Sequence, residues 1–293
     1  MIGRRAWIGG TAAMAFGGST LARARAEGGF ADLPRIFARI ESSVGGRLGI
    51  AVLDTADGRH AGRREAERFP MASTFKVLAA GAILARVDAG QDSLARRIQV
   101  TRADLVEWSP VTERRLGGAG MTLAELCEAA MTTSDNAAAN LLLRVLGGPG
   151  GLTAYLRGLG DEVTGLDRIE PALNDVPPDD PRDTTTPAAM LATLRRLTLG
   201  DALSPASRQQ LVAWLRANRT GGSRLRARLP AGWQAGDRTG TAPRGTSNVV
   251  GLLWPPVGAA PLVVTAYLTG SPAPAAARDM ALAEVGAAIV AAR

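Results

Sequence analysis

The chain has 293 residues, 46% of them hydrophobic, enough for one large or two small domains around a sizeable core. Its 34 basic residues are 33 arginines and the single lysine Lys76, and it carries one histidine, His60, and one cysteine, Cys127. That inventory excludes a zinc site of histidines and thiolates, an intramolecular disulfide and, since His60 sits in the polar run Asp57 to Arg63, a histidine-based hydrolase.

In chain order, residues 1–26 read as an export signal: Arg4-Arg5 before Trp7-Ile8, a short apolar run to Leu21, further arginines at 23 and 25, and a small-residue cleavage site at Ala24-Arg25-Ala26. The paired arginines are similar to twin-arginine signals. Without this segment the formal charge falls from +7 to +3, which removes the main argument for a nucleic-acid partner. Phe30, Leu33, Phe37 and Ile40 predict an amphipathic helix over 29–42, and Leu48 to Leu53 a buried strand with a partner after Asp57-Gly58. Helical segments fill Pro70 to Gly200. Strands return at Trp233 to Thr239, Ser247 to Trp254 and Pro261 to Leu268, followed by a closing helix through Met280, Val285 and Ile289. The pattern predicts a sheet made from both chain ends, residues 27–64 and 216–293, beside an all-α block at 65–215. No segment beyond the signal is apolar enough to anchor the chain in a membrane.

Ser73-Thr74-Phe75-Lys76 opens a helix whose continuation, Val77 to Leu84, is apolar on every side. A buried lysine one turn from a serine is a proton acceptor for a nucleophile that lacks histidine, and the helix N-terminus suits a developing oxyanion. Taken alone, the pair also fits a helix-capping serine and a snorkelling lysine. Ser134-Asp135-Asn136 lies between two helical segments, where a helix cap is the simpler role. Arg168 to Asp183 forms a long polar stretch containing Glu170-Pro171 and Asn174. Arg238-Thr239-Gly240-Thr241 ends a strand, where a solvated edge arginine is the plain alternative.

Together, in this order and spacing, these segments resemble the class A active-site serine β-lactamases. The resemblance covers essentially the whole mature chain and implies an α/β fold with an antiparallel five-stranded sheet, flanked by terminal helices and packed against an all-α domain. It implies that Ser73 is acylated, that Lys76 and Glu170 share the proton transfers, and that Ser134 relays a proton to the leaving nitrogen. Asn136 would hold the substrate's side-chain amide, Asn174 would help place the deacylating water, and the Ser73 and Thr241 N–H groups would form the oxyanion hole. Arg238, Thr239 and Gly240 match the third motif, with Arg where the family has Lys, as in carbenicillin-hydrolysing members. Arg168 and Asp183 match the ion pair closing the Ω-loop at about 167–183, and Glu170-Pro171 its cis peptide. Arg224 matches an alternative position for a second cation on the substrate carboxylate, and its removal is expected to leave thermal stability nearly intact. The cleft rim is expected to lack its aromatic residue, Val100 taking that place, and Cys127 to be a buried free thiol. No cofactor or metal is implied. The expected partner is a small-molecule β-lactam, penicillins and carboxypenicillins first, acted on by a monomer in the periplasm or secreted. A D-alanyl-D-alanine peptidase and a non-hydrolysing β-lactam sensor share the acylating parts; Glu170 and Asn174 argue for hydrolysis.

Overall fold

The computed structural model describes residues 29–256 and 258–293; the export signal expected at 1–26 lies outside them. The chain opens with a 3₁₀ turn and α1 (Leu33–Val44), then β1 (Arg47–Asp54), β2 (His60–Arg63) and β3 (Phe69–Pro70). There follow α2 (Phe75–Asp88), β4 (Arg97–Ile98), β5 (Met121–Thr122), α3 (Leu123–Thr132), α4 (Asn136–Leu146) and α5 (Pro149–Gly158). After a long loop come β6 (Thr184–Thr185), α6 (Pro187–Thr198) and α7 (Pro205–Arg216). The chain closes with β7 (Gln234–Ala242), β8 (Thr246–Trp254), β9 (Leu262–Thr269) and α8 (Ala275–Ala291).

β1, β2, β7, β8 and β9 form one antiparallel sheet in the order β2-β1-β9-β8-β7, so both chain ends contribute and β7 is an edge. Side chains alternate across a strand, and here both faces are covered, which explains why β8 and β9 read as continuous apolar runs. Leu262, Val264, Ala266 and Leu268 join α1 and α8 in one core, while Val263 and Tyr267 face the helices on the other side. The centre of that second core is α2, buried from Phe75 to Leu84. Capping fixes where α3 and α4 begin: the Thr122 hydroxyl accepts from Glu125 N, and the Asp135 carboxylate from Ala138 N. Among the described residues no helix is long and apolar enough to cross a membrane.

β7 runs three residues beyond the strand expected from sequence, to Ala242, so Thr241 is part of the sheet edge. The block expected to be all helical also holds two short ladders, β3 with β6 and β4 with β5. Phe69–Pro70 pairs with Thr184–Thr185, tying the residues just before Ser73 to the end of the loop that carries Glu170.

Candidate active site

Ser73 lies in a 3₁₀ turn at Ala72–Thr74 that runs directly into α2, where free backbone N–H groups and the helix dipole favour negative charge. The preceding Ala72 has φ +45°, Ser134 φ +64° and Asp183 φ +57°. Non-glycine residues in this left-handed region cost of order 1–3 kcal/mol each and persist where the surroundings enforce them.

Lys76 Nζ is fully buried and lies 3.0 Å from Ser73 Oγ, 3.0 Å from Ser134 O, 3.2 Å from Ser134 Oγ, 2.5 Å from Asn136 Oδ1 and 3.0 Å from Glu170 Oε1. Burial pushes this lysine down to about 8; Arg238 adds to the shift, and the Glu170 carboxylate opposes it. An ammonium has three protons and five acceptors here, so Ser73 Oγ receives rather than gives to lysine. The acceptor left for the Ser73 proton is Glu170 Oε1, at 3.3 Å.

Ser134 completes the line. Arg238 Nη2 donates to Ser134 Oγ, and Ser134 Oγ donates to Ser73 Oγ at 3.1 Å. The hydrogen bonds therefore run in one direction, from Arg238 through Ser134 and Ser73 to Glu170. The Arg238 side chain is completely buried, and burial lowers its basicity to about 10, with Glu170 and Asp237 opposing.

Asn136, at the first turn of α4, presents Oδ1 to Lys76 and donates through Nδ2 to Glu107 O at 2.9 Å. Glu170 follows a surface isoleucine, is itself 1% exposed, and precedes a cis proline. Asn174 Nδ2 holds Glu170 Oε2 at 2.5 Å, while Asn174 Oδ1 is buried and accepts nothing from the described residues. Arg168 Nε meets Asp183 Oδ2 at 2.6 Å and closes the base of the loop.

The edge strand β7 forms the opposite wall. A Cβ on Gly240 would stand 2.9 Å from Met71 O and 3.2 Å from Ser73 N, so only glycine lets the strand approach the nucleophile this closely. Thr239 shares a short hydroxyl contact with Thr220, which also takes Arg238 Nη1 at 3.3 Å and donates to Asn218 Oδ1 at 2.9 Å. The Thr241 hydroxyl accepts from Arg224 Nη2 at 2.7 Å.

Arg224 is 5% exposed and far more engaged than the sequence reading allowed. Its Nε donates to Asp279 Oδ1 at 2.8 Å, and Nη1 donates to the carbonyls of Gly240 at 2.8 Å and Asn248 at 2.7 Å. One N–H on Nη2 is left beside Thr241. Arg224→Ala is expected to lower kcat/KM for penicillins by roughly tenfold to a hundredfold. It is also expected to destabilise the protein by about 2–3 kcal/mol, because two strand carbonyls lose the guanidinium and Asp279, left with the Ser223 hydroxyl, loses its charged partner. Kinetics well below the melting temperature, with a thermal melt beside them, separate the two effects; unchanged kinetics would remove Arg224 from substrate binding.

The rim expectation was misplaced. Val100 is 4% exposed, packed in the helical core after β4, whereas Trp108 is 61% exposed with φ +61° and its carbonyl accepts Asn136 N at 2.9 Å. The aromatic at the cleft is therefore Trp108, pinned by its Nε1 on Thr133 O at 3.0 Å. Sequence reasoning also passed over Asn140, whose amide pairs with both the N–H and the C=O of Glu170 at 2.9 Å each. The signal was an asparagine inside an otherwise apolar helical run, Ala137 to Leu143. Thr220 was equally missed, whereas the helix cap offered for Ser134-Asp135-Asn136 falls to Asp135, whose carboxylate gathers Ala138 N and, beyond that role, Val111 N and Thr112 N. Cys127 is buried and unpaired, and His60 sits on the surface 3.0 Å from Glu65, apart from this cluster.

Comparison with known proteins shows the family. The family described as the Beta-lactamase enzyme family matches residues 32–292. An ancestral class A β-lactamase (GNCA) is 64% identical, with a TM-score of 0.86 over 88% of this chain and 98% of the other. The last common ancestor of Gram-negative bacteria class A enzyme (GNCA4) is 62% identical, with a TM-score of 0.87 over 89% and 99%. A protein assigned as the class A β-lactamase PenP from Rhodopseudomonas palustris is 59% identical, with a TM-score of 0.86 over 88% and 98%. With a family match over most of its length and relatives this similar across nearly their whole chains, the protein belongs to the class A β-lactamases and hydrolyses β-lactams.

Proposed function

We propose that the enzyme opens the β-lactam ring through an ester on Ser73 and hydrolyses that ester with a water activated by Glu170. The observation that carries this reading is the convergence of Lys76, Ser134 and Glu170 on Ser73 Oγ, each within 3.3 Å. Arg238, Thr239 and the free N–H of Arg224 receive the substrate carboxylate; charge-assisted bonds of this kind contribute about 1.5–3 kcal/mol each. The ring carbonyl enters between the Ser73 and Thr241 N–H groups, where the helix N-terminus favours the oxyanion. As Ser73 Oγ attacks, its proton passes to Glu170; Ser134 gives its own proton to the departing nitrogen and is reprotonated by Lys76, which in turn takes the proton held by Glu170 and leaves that carboxylate ionised for the second half. Asn136 holds the side-chain amide. In the second half, Glu170 takes a proton from a water that Asn174 Oδ1 orients, the water oxygen bonds to the ester carbonyl, and the bond to Ser73 Oγ breaks as Glu170 gives that proton to Ser73 and the acid leaves.

Arg238 supports a preference for penicillins, carboxypenicillins included, since a guanidinium offers a planar pair of donors where an ammonium offers a point charge. The test is kcat/KM across benzylpenicillin, carbenicillin, a cephalosporin and a carbapenem. Carbenicillin is expected near benzylpenicillin and well above the last two; poor carbenicillin turnover would remove the preference.

The pH profile follows from Lys76. Its ammonium is the form that holds Ser73 and Glu170 in place, and it titrates away above about 8. Penicillin kcat/KM is expected to fall on the alkaline side with a midpoint near that value. A profile rising through the same region would make neutral Lys76 the acylation base.

The enzyme acts as an exported monomer, its Arg4-Arg5 signal using the twin-arginine route in this reading. Replacing both arginines by lysine is expected to leave precursor in the cytoplasm and abolish resistance in cells. Normal export would favour the general secretory route.

A further inference from the structure

The turn between β7 and β8 carries Arg244 at φ +57°, a left-handed backbone that favours glycine, yet the residue is a long cation. The turn is fixed from behind: Gly270 N donates to Arg244 O at 2.8 Å, and a Cβ on the neighbouring Gly245 would lie 2.0 Å from Ser271 O. From this anchored position Arg244 Nη2 reaches across to Asp175 Oδ1 at 2.7 Å. Asp175 directly follows Asn174, so the ion pair joins the hairpin of Thr241 to the loop of Glu170 and Asn174.

Beyond Asp175 the loop is packed at its start, where Val176 is buried, and loosely thereafter. Residues 176–181 roof a cavity of about 720 Å³, and among these residues the backbone hydrogen bond is the local Asp180 N to Pro177 O. Arg168 Nη1 holds Asp175 O from inside the loop, at 3.0 Å, but does not reach β7. Among the described residues the polar contact that joins this loop to the β7–β8 hairpin is the Arg244–Asp175 pair.

We infer that the Arg244–Asp175 ion pair is a strap across the channel that receives the β-lactam's acylamino side chain, and that it disfavours substrates with a bulky branch on the acyl carbon, such as oxyimino cephalosporins. This rests on the orientation proposed above, in which Asn136 holds the side-chain amide, and adds that the side chain then runs between Asn174 and Thr241, the neighbours of the two strapped segments. Both side chains are about half exposed or more, 48% for Arg244 and 68% for Asp175, so the strap is weak and sensitive to salt. Neither residue touches Ser73, Lys76 or Glu170.

The test compares kcat/KM for an oxyimino cephalosporin and for benzylpenicillin in the wild type, Asp175→Asn, Arg244→Asn and the charge-exchanged double variant Arg244→Asp with Asp175→Arg. Asparagine and aspartate tolerate the left-handed backbone at 244, so the turn survives. The ratio of oxyimino cephalosporin to benzylpenicillin turnover is expected to rise roughly three- to fivefold in each single variant, the scale of one exposed ion pair. It is expected to return toward the wild-type ratio in the exchanged pair and to rise in the wild type as NaCl increases to about 0.5 M. An unchanged ratio in the single variants overturns the strap while leaving β-lactam hydrolysis intact. An equal loss for both substrates, with a lower melting temperature, also overturns it, since the pair would then only anchor the loop. A benzylpenicillin ester that forms elsewhere than on Ser73 would instead strike the orientation on which the strap depends.

Discussion

In Glu170→Ala a penicillin is expected to stay esterified to Ser73, visible as added mass on the intact protein, with turnover reduced roughly a thousandfold or more. Acylation and deacylation make different demands on this site. In the proposed mechanism the strained ring is attacked by Ser73 Oγ, whose proton can go to either of two neighbours. Removing Glu170 takes away the carboxylate 3.0 Å from Lys76 Nζ, the main influence holding that lysine's basicity up against burial. Neutral Lys76 then becomes easier to reach, and acylation continues. The proposed ester has no such substitute, because the amide oxygen of Asn174 can accept a hydrogen bond from a water but cannot take its proton. Release of product at the wild-type rate would move the hydrolytic base elsewhere.

Ser73→Ala is expected to lower hydrolysis of a chromogenic cephalosporin by roughly 10⁴-fold or more and to abolish covalent labelling by penicillins. The remaining cluster stays paired: Lys76 keeps Glu170, Asn136 and the Ser134 carbonyl, and Ser134 keeps Arg238. The melting temperature is therefore expected to stay within about 4 °C of the wild type, the scale of 1 kcal/mol for a domain of this size. Residual turnover near wild type would show that Ser73 is not the nucleophile. A large fall in melting temperature would instead trace the loss of activity to unfolding.

What could be read from the sequence was whatever has a local period. Ser73 and Lys76 stand one helical turn apart, so their meeting follows from helix geometry, and the apolar run after them already placed the lysine indoors. The sheet was legible through the short apolar runs of β1, β8 and β9. Trp108 was not. It lies in an irregular stretch between β4 and β5, with only short 3₁₀ turns, where no repeat tells a reader which residue faces the cleft. Arg224 was legible as a cation near the sheet but not as a buried one, because its partner Asp279 is 55 residues away on α8. The role of Asn140 in holding Glu170 likewise depends on a contact 30 residues off.

Cys127 gives the molecule a built-in clock for opening. It is the only thiol in the chain, wholly enclosed on α3 against the helical core, and burial raises its pKa well above the ordinary thiol range. A thiol reagent reacts with the exposed thiolate, so in the native state it has nothing to attack. Each labelling event therefore reports an excursion in which α3 has left the core. With reagent in excess, the modification rate becomes the opening rate itself, read at a single position without a mutation. The same lone thiol means that no oxidant takes part in maturation: the chain can reach its finished form in a reducing compartment and keep it in an oxidising one.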